Sequence, residues 1–489
     1  MKRALPLFLI IFAAAVFLRF FNFTNRITVG LDSARDAFVS LYGAQTIQLP
    51  ITGPFISIAP VTTGPWYWIQ LIFARFIIPT PYAPWILLAI YSTFLIIIVY
   101  FIGLQVEGKR LGLILAFLAT FSANQIGTAV QLTNPSVIGF YTSIYVLLFV
   151  LLVKGNKKNL KLGLLIGIVL GLTINTHYQA AGLVSLLVFL LFFGKKYLKT
   201  LLAAGAGIGL TFLPLLCFEL NNHWYNTGHM LQYILVDQYN IWTPMRWLTY
   251  ISDYWPNFLS YVLGGSITFG RVVLFLLSIG YLFLLWKRKL PKILLLLGFS
   301  FLIEVVIIRY YRGERFFGYL QFFHPYLFIF IGYLINKIFS LPGGKIAGIA
   351  VLGVYFFFVF PSIRPRLQPE DLTLQTKNLA QKIYQTFGPG PYKLYKCRAL
   401  VKPDVVALVL QLYMDNRYDS AGKPLIYDWG CSLPSIGESK DPQSVYPRID
   451  NVVDASIASP AAILAKEWVE ASPKSMYQSA ARWWMDEQP

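Results

Sequence analysis

Eleven long apolar runs fill the first 361 positions of this chain and decide what it can fold into. A helix crosses a hydrocarbon core ~30 Å thick with ~20 apolar residues. Inside lipid only a helix or a closed barrel satisfies its own backbone. The runs are 4–23, 84–104, 111–123, 135–153, 162–175, 179–193, 198–218, 267–286, 292–308, 319–336 and 346–361. Two of them, 111–123 and 162–175, are short for a full crossing and extend into polar neighbours. The expectation is an all-α polytopic membrane protein with about eleven transmembrane helices over 1–361. A small soluble α/β domain is expected over 362–489.

Only 13% of the residues are charged, yet the net charge is +19. The placement of that charge argues against nucleic acid. With Lys2 and Arg3 inside, the loops on the same side carry 17 basic residues against one acid, Glu107. The alternate loops carry eight arginines (Arg26, Arg35, Arg75, Arg246, Arg271, Arg309, Arg312 and Arg315) balanced by six acids. The tail holds 15 basic and 14 acidic residues. This is the positive-inside pattern, which puts the N-terminus in the cytoplasm and the tail outside. The first run has the basic start of a signal peptide, but no clear small-residue cleavage site, so it reads as a retained helix. Cys217 lies in an apolar run and reads as packing, while Cys397 and Cys431 lie where an oxidising compartment allows a disulfide.

Function should then be sought on the outer side, because the inner loops carry little but lysine. The outer loop 24–83 is too apolar to be free. Ala34, Ala37, Phe38, Leu41, Ala44 and Ile47 recur at helical spacing over 33–48 and predict an amphipathic surface helix. A second is expected from Gly64-Pro65 through Trp66-Tyr67-Trp68, with proline suited to the first turn and tryptophan to the interface. In the tail, 371–387 and 403–417 read as helices and 391–397 and 424–429 as strands, a βαβ pattern. A short helix is expected around 461–470.

The strongest chemical signal is Gly30-Leu31-Asp32-Ser33-Ala34-Arg35-Asp36-Ala37. Two carboxylates one turn apart, with an arginine between them, sit where a membrane-embedded substrate would surface. A carboxylate there suits a general base toward a hydroxyl. The same spacing also suits an Asp32 that caps the helix, with Arg35 and Asp36 in solvent. Arg309, Arg312 and Arg315 form a dense basic group against the positive-inside pattern, and arginine forks bind phosphate well; a solvated turn with Glu314 pairing locally is the alternative. The four histidines, His177, His223, His229 and His324, show no metal-ligand spacing, and His177 is the best single candidate. Glu219 ends an apolar run. Glu304 lies within one, where acids are costly.

At these residues the chain resembles the GT-C superfamily of membrane glycosyltransferases, which take sugar from a polyprenyl-phosphate carrier. Protein O-mannosyltransferases and the lipid A aminoarabinose transferases belong to it. In the latter an acidic motif of about Asp-Glu-x-Arg-Tyr-Ala opens the first outer loop. Asp32-Ser33-Ala34-Arg35-Asp36-Ala37 matches the first acid, the arginine and the alanine, and departs at Ser33 and Asp36. Gly64-Pro65-Trp66-Tyr67-Trp68 is similar to a Pro-x-x-Tyr-Trp segment of that family, without the lysine that often precedes it. Asn134-Pro135 and His177-Tyr178 have counterparts too, and the resemblance covers about 1–360.

The resemblance implies an inverting glycosyltransferase in the plasma membrane, moving a sugar from polyprenyl phosphate to the hydroxyl of a glycan, lipid or protein. Asp32 and Asp36 would be catalytic. Arg35, Asn134, His177, Tyr178, Glu219, Arg309, Arg312 and Arg315 would bind substrate. Dependence on a divalent metal is left open. The rival is a transporter or flippase of a lipid-linked sugar, which predicts internal repeats and polar residues at mid-membrane; neither is seen.

Overall fold

The computed structural model describes residues 4–56, 60–155, 159–192, 197–237, 246–311 and 315–387, with three strands beyond them. The described parts of the apolar runs lie mostly in helices. Among the described residues seven helices are long and apolar enough to cross a membrane: Ala83–Glu107, Asn134–Gly155, Leu198–Asn221, Ile267–Trp286, Lys292–Tyr310, Phe317–Phe339 and Gly344–Arg366. Ala4–Phe20, Leu160–Thr176 and Tyr178–Leu191 are apolar but shorter. Lys109–Thr120 has only 12 residues, about 18 Å at the helical rise. The chain is a multi-pass membrane protein.

Burial sorts these helices. Phe317–Phe339 has 78% of its apolar window buried and forms the centre of the bundle, whereas Ile267–Trp286 has 11% and turns its leucines and phenylalanines outward. Cys217, read from sequence as packing, is exposed on the outward face of Leu198–Asn221 beside Leu213 and Leu216. The other face of that helix packs tightly on Leu160–Thr176, where glycines recur every four residues. A Cβ on Gly167 would stand 1.9 Å from the Ala204 carbonyl oxygen. Close backbone approach of this kind replaces the hydrophobic drive that lipid cannot supply.

Two arginines hold helix ends together without any acid. Arg19 is fully buried and donates to the carbonyls of Ala15, Ser92, Ala119 and Thr120. Arg26 donates to the carbonyls of Leu18, Phe21, Ile126 and Arg366. Helix C-termini carry orphan carbonyls and partial negative charge, so a guanidinium suits them. Arg26, counted above as a loop charge, is in fact a buried clamp.

The segment 219–266 is largely helical, with Tyr225–Leu235, Arg246–Thr249, a π-helical turn at Tyr250–Tyr254, and Trp255–Leu263. The last apolar helix continues through Pro361 and Pro365 to Arg366. Helix Asp371–Phe387 follows, at the bounds its apolar spacing predicts. Strand β1 (Tyr392–Cys397) pairs parallel with β2 (Lys423–Asp428), Leu394 opposite Leu425, and β2 pairs antiparallel with β3 (Val452–Asp454). The expected helices at 403–417 and 461–470, and Cys431, lie outside the described residues.

Candidate active site

Residues 27–29 run extended and lead through Gly30 into the helix Leu31–Thr46. Gly30 stands at the cap position with no side-chain bond, so Asp32 is not a cap but lies in the first turn. An acid there is favoured by the helix dipole. Ser33, a departure from the family motif, donates to the Leu132 carbonyl at 3.1 Å and ties this helix to the neighbouring turn. Arg75 on Trp66–Ile77 ties it on another side, to Ser40 at 2.7 Å and the Ala37 carbonyl at 2.9 Å.

Arg35 sits between the two acids. Its Nη1 reaches Asp32 Oδ1 and its Nε reaches Asp36 Oδ1, both at 2.9 Å. The acids differ in surroundings: the Asp32 side chain is 62% exposed and that of Asp36 is fully buried. Trp68 Nε1 donates to Asp36 Oδ1 at 2.8 Å. The solvated Asp36 expected from a plain surface helix is therefore wrong, and so is the reading of Trp68 as an interface anchor, since it is buried. A buried indole needs a partner for its N–H, and Asp36 is that partner.

Asp36 Oδ2 and the Tyr67 hydroxyl are both buried and lie beside each other, with no other partner among the described residues. Tyr67 lies beside the carboxylate: burial and then the Asp36 charge push its phenol well above the ordinary range. Burial pushes the Asp36 carboxyl up, against the pull of Arg35. Burial also works against the Arg35 charge, but Asp36 and Asp32 together raise it above its ordinary value.

A second group of candidates converges on the strip 62–64 that opens the helix Trp66–Ile77. Gly64 N–H donates to the Asn175 carbonyl at 2.8 Å. A Cβ on Gly64 would lie 2.0 Å from Asn175 Oδ1, so only glycine fits. The Tyr178 hydroxyl donates to the Thr62 carbonyl at 2.7 Å. Asn226 bonds Thr62 through both amide atoms, at 3.0 and 2.8 Å. Asn134 donates to the Thr176 carbonyl at 2.9 Å. His177 is buried with Nδ1 unpartnered among the described residues, and its ring lies 4.8 Å from that of Tyr319. Burial pushes its pKa down to about 4, so the ring is neutral at ordinary pH.

Glu219 has a job within the fold. Its two oxygens accept from the backbone N–H groups of Asn226 and Thr227, at 3.1 and 3.2 Å, in the first turn of Tyr225–Leu235. A carboxylate at that position satisfies orphan donors and complements the dipole.

Arg309 is buried, with its guanidinium 4.5 Å from the Trp247 ring and 5.5 Å from that of Tyr310, and its Nε has no partner among the described residues. Arg315 lies 5.4 Å from the ring of Tyr254 and 5.8 Å from that of Tyr250. Neither forms an ion pair among the described residues. Arg312 lies outside the described residues. Glu304 is fully buried, pressed against Gly182, and neither oxygen finds a donor among the described residues.

No three His, Cys, Asp or Glu side chains come together as metal ligands among the described residues. Arg35 occupies the space between Asp32 and Asp36 where a shared cation would sit, so these acids do not fit a divalent ion. The residues that sequence reasoning missed are Trp68, Tyr67, Thr62 and Asn226. Tyr67 and Trp68 left a trace, as part of the Pro-x-x-Tyr-Trp resemblance, but with no role attached; Thr62 and Asn226 left none.

No family model and no curated protein matches the chain. Solved structures do. ArnT from Cupriavidus metallidurans in the apo state superposes with a TM-score of 0.58 at 11% identity, over 83% of this chain and 84% of that one. The same protein bound to undecaprenyl phosphate gives 0.55. The oligosaccharyltransferase of Archaeoglobus fulgidus, of which this chain spans 59%, gives 0.49 at 14% identity. At such identity the likeness is one of fold: the chain shares the architecture of ArnT.

Proposed function

We propose that the chain is an inverting glycosyltransferase that moves a sugar from a polyprenyl-phosphate carrier to an acceptor hydroxyl. The observation that carries this is the split acid pair, Asp32 open and Asp36 buried, joined by Arg35 at the head of the helix that opens the first large loop of a GT-C fold. The carrier class is taken from the neighbour solved with undecaprenyl phosphate.

Asp32 takes the proton from the acceptor hydroxyl as its oxygen attacks the anomeric carbon. The bond from that carbon to the phosphate oxygen breaks, and polyprenyl phosphate leaves with the bonding electrons. One displacement inverts the anomeric centre. Arg35 holds Asp32 in place, and Asp36 holds Arg35, with Trp68 fixing the buried carboxylate. Positive charge must meet the developing phosphate charge. Arg309, Arg312 and Arg315 are assigned to it, supported by two guanidiniums held on aromatic rings rather than by acids. Asn134, His177 and Tyr178 shape the pocket wall, and Glu219 shapes it through the helix that it caps.

The same reading puts the reaction on the outer face of the plasma membrane, opposite the lysine-rich loops, with residues 362–489 beside it. Purified protein in nanodiscs, given a panel of polyprenyl-phosphate sugars and acceptors, should release polyprenyl phosphate detected by mass spectrometry. Asp32→Asn should remove that release while the protein stays folded. Full activity in the folded variant would sink the assignment.

A further inference from the structure

The strap 27–29, which carries the chain into the acid helix, is held from both sides. Ile27 N–H donates to the Phe23 carbonyl at 3.1 Å, and Thr28 N–H to the Val130 carbonyl at 3.0 Å. Trp85 Nε1 donates to the Thr28 carbonyl at 3.4 Å. The Ile27 carbonyl and the Val29 N–H are met by one side chain from the far end of the sequence. Thr373 Oγ1 accepts from Val29 N–H at 3.2 Å and donates to the Ile27 carbonyl at 2.8 Å.

That hydroxyl is itself held. Glu370 accepts from the Thr373 N–H at 2.6 Å, and the Glu370 N–H donates to the Asn25 carbonyl at 3.1 Å. Ile27, Val29, Thr373, Thr376 and Ala380 are all buried, so helix Asp371–Phe387 lies directly on the strap. Arg26, one residue before the strap, also donates to the Arg366 carbonyl at 2.6 Å. The strap is thus clamped by residues more than 300 positions away, two residues before the acid helix begins.

We propose that Thr373 is a positioning residue for the reaction: through Ile27 and Val29 it sets the place of Gly30 and so of Asp32, Arg35 and Asp36. Helix Asp371–Phe387 is then part of the scaffold of the site. This rests on the glycosyl-transfer reading. A hydroxyl that both donates and accepts is needed, because the strap offers one carbonyl and one N–H a residue apart. Serine keeps both functions and valine keeps only the shape.

The test compares wild type, Thr373→Val and Thr373→Ser at full length in nanodiscs, with two readouts. The first is amide hydrogen exchange across 23–46, which requires no substrate. Thr373→Val should speed exchange at Val29 and through the first turn of the acid helix, and Thr373→Ser should restore protection. The second is the kinetics of polyprenyl-phosphate release. A misplacement of about 1 Å costs ~100-fold in rate, so Thr373→Val should lower kcat by about 10–100-fold with donor KM within about 2-fold. Thr373→Ser should stay near wild type.

Unchanged exchange at Val29 in Thr373→Val would overturn the clamp. Faster exchange spread evenly over the whole chain, with kcat and KM falling together, would make the contact merely structural and overturn it as well. A wild type that releases nothing from any donor defeats the glycosyl-transfer reading instead, and exchange at Val29 then decides the clamp alone.

Discussion

The two ends of the helical bundle treat their charged groups differently. At the end of Phe317–Phe339 that carries Lys337, the charges close on one another. Glu107 takes both Lys337 and, at 2.6 Å, Asn336, while Arg110 reaches Asn336 and Ser340. At the other end, where Tyr319 meets His177, buried groups are left open. Asn175 Oδ1, His177 Nδ1 and Arg309 Nε all lack a partner among the described residues. Buried polar atoms in native proteins are nearly always satisfied. At the Lys337 end Thr200 Oγ1 also lacks a partner among the described residues, so the contrast lies in the charges: they are paired there, and Arg309 is not.

That contrast can be attacked first through the two ion pairs. Asp36→Ala leaves Arg35 paired with Asp32 alone and strands the buried Trp68 N–H, a loss of about 2–3 kcal/mol. Glu107→Ala at the closed end breaks a pair that is about one-third exposed on each side, and should cost about 1 kcal/mol or less. Thermal unfolding in nanodiscs compares them. Equal losses would erase the distinction between the ends.

Arg309 sharpens the comparison from the side of function. Arg309→Ala should lower release of polyprenyl phosphate by about 10²–10³-fold, the usual cost of a lost oxyanion donor. Arg309→Lys should recover little, because the flat fork on Trp247 is what is used. A variant with wild-type kcat and KM removes Arg309 from the site.

The pH response comes next in size. Burial lowers the His177 pKa to about 4, below the ~6.5 of an unfolded histidine. The neutral ring is favoured by the fold, so this stability is fully present above ~6.5 and is lost as pH falls toward 4. Between pH 7 and 5 the loss is about 2 kcal/mol, to be read as a fall in Tm that His177→Gln lacks. Asp36 has the opposite sign. Its raised pKa gives stability present below ~3.9 and lost as pH rises through the folded value. If the ionised pair is the working form, kcat/KM should rise with pH through a value above the ordinary aspartate range.

The smallest effect is expected at Glu219. Glu219→Gln keeps one of the two acceptors for the first turn of Tyr225–Leu235 and loses the other with the charge, about 1 kcal/mol. Glu219→Ala should cost about 1–2 kcal/mol. A loss of turnover by Glu219→Gln at unchanged Tm would instead place the carboxylate in contact with substrate.

Much of the fold is written in the order of residues. Apolar runs give helices wherever lipid is the solvent, because backbone groups there have no other partner. Helix 371–387 is readable for a related reason, its apolar positions recurring at helical spacing. In the segment 219–266, Trp255, Phe258, Leu259, Val262 and Leu263 recur at helical spacing and are buried, whereas Tyr225–Leu235 leans on contacts from Glu219 and Thr62. In the site, the motif around Asp32 is legible as a local pattern. The burial of Asp36 is not, because it depends on Trp68 arriving 32 positions later.

The sequence by itself determined that this chain lives in a membrane, where its helices fall, and that acids and arginines gather in particular loops. Local spacing and hydrophobicity suffice for that. Tertiary structure alone decided which of two neighbouring aspartates is open and which is buried, that Glu219 serves as a helix cap, and that Thr373 closes on residues 27 and 29. Each is a contact between distant positions, and the residue types that make it are equally at home elsewhere; only packing selects the partner.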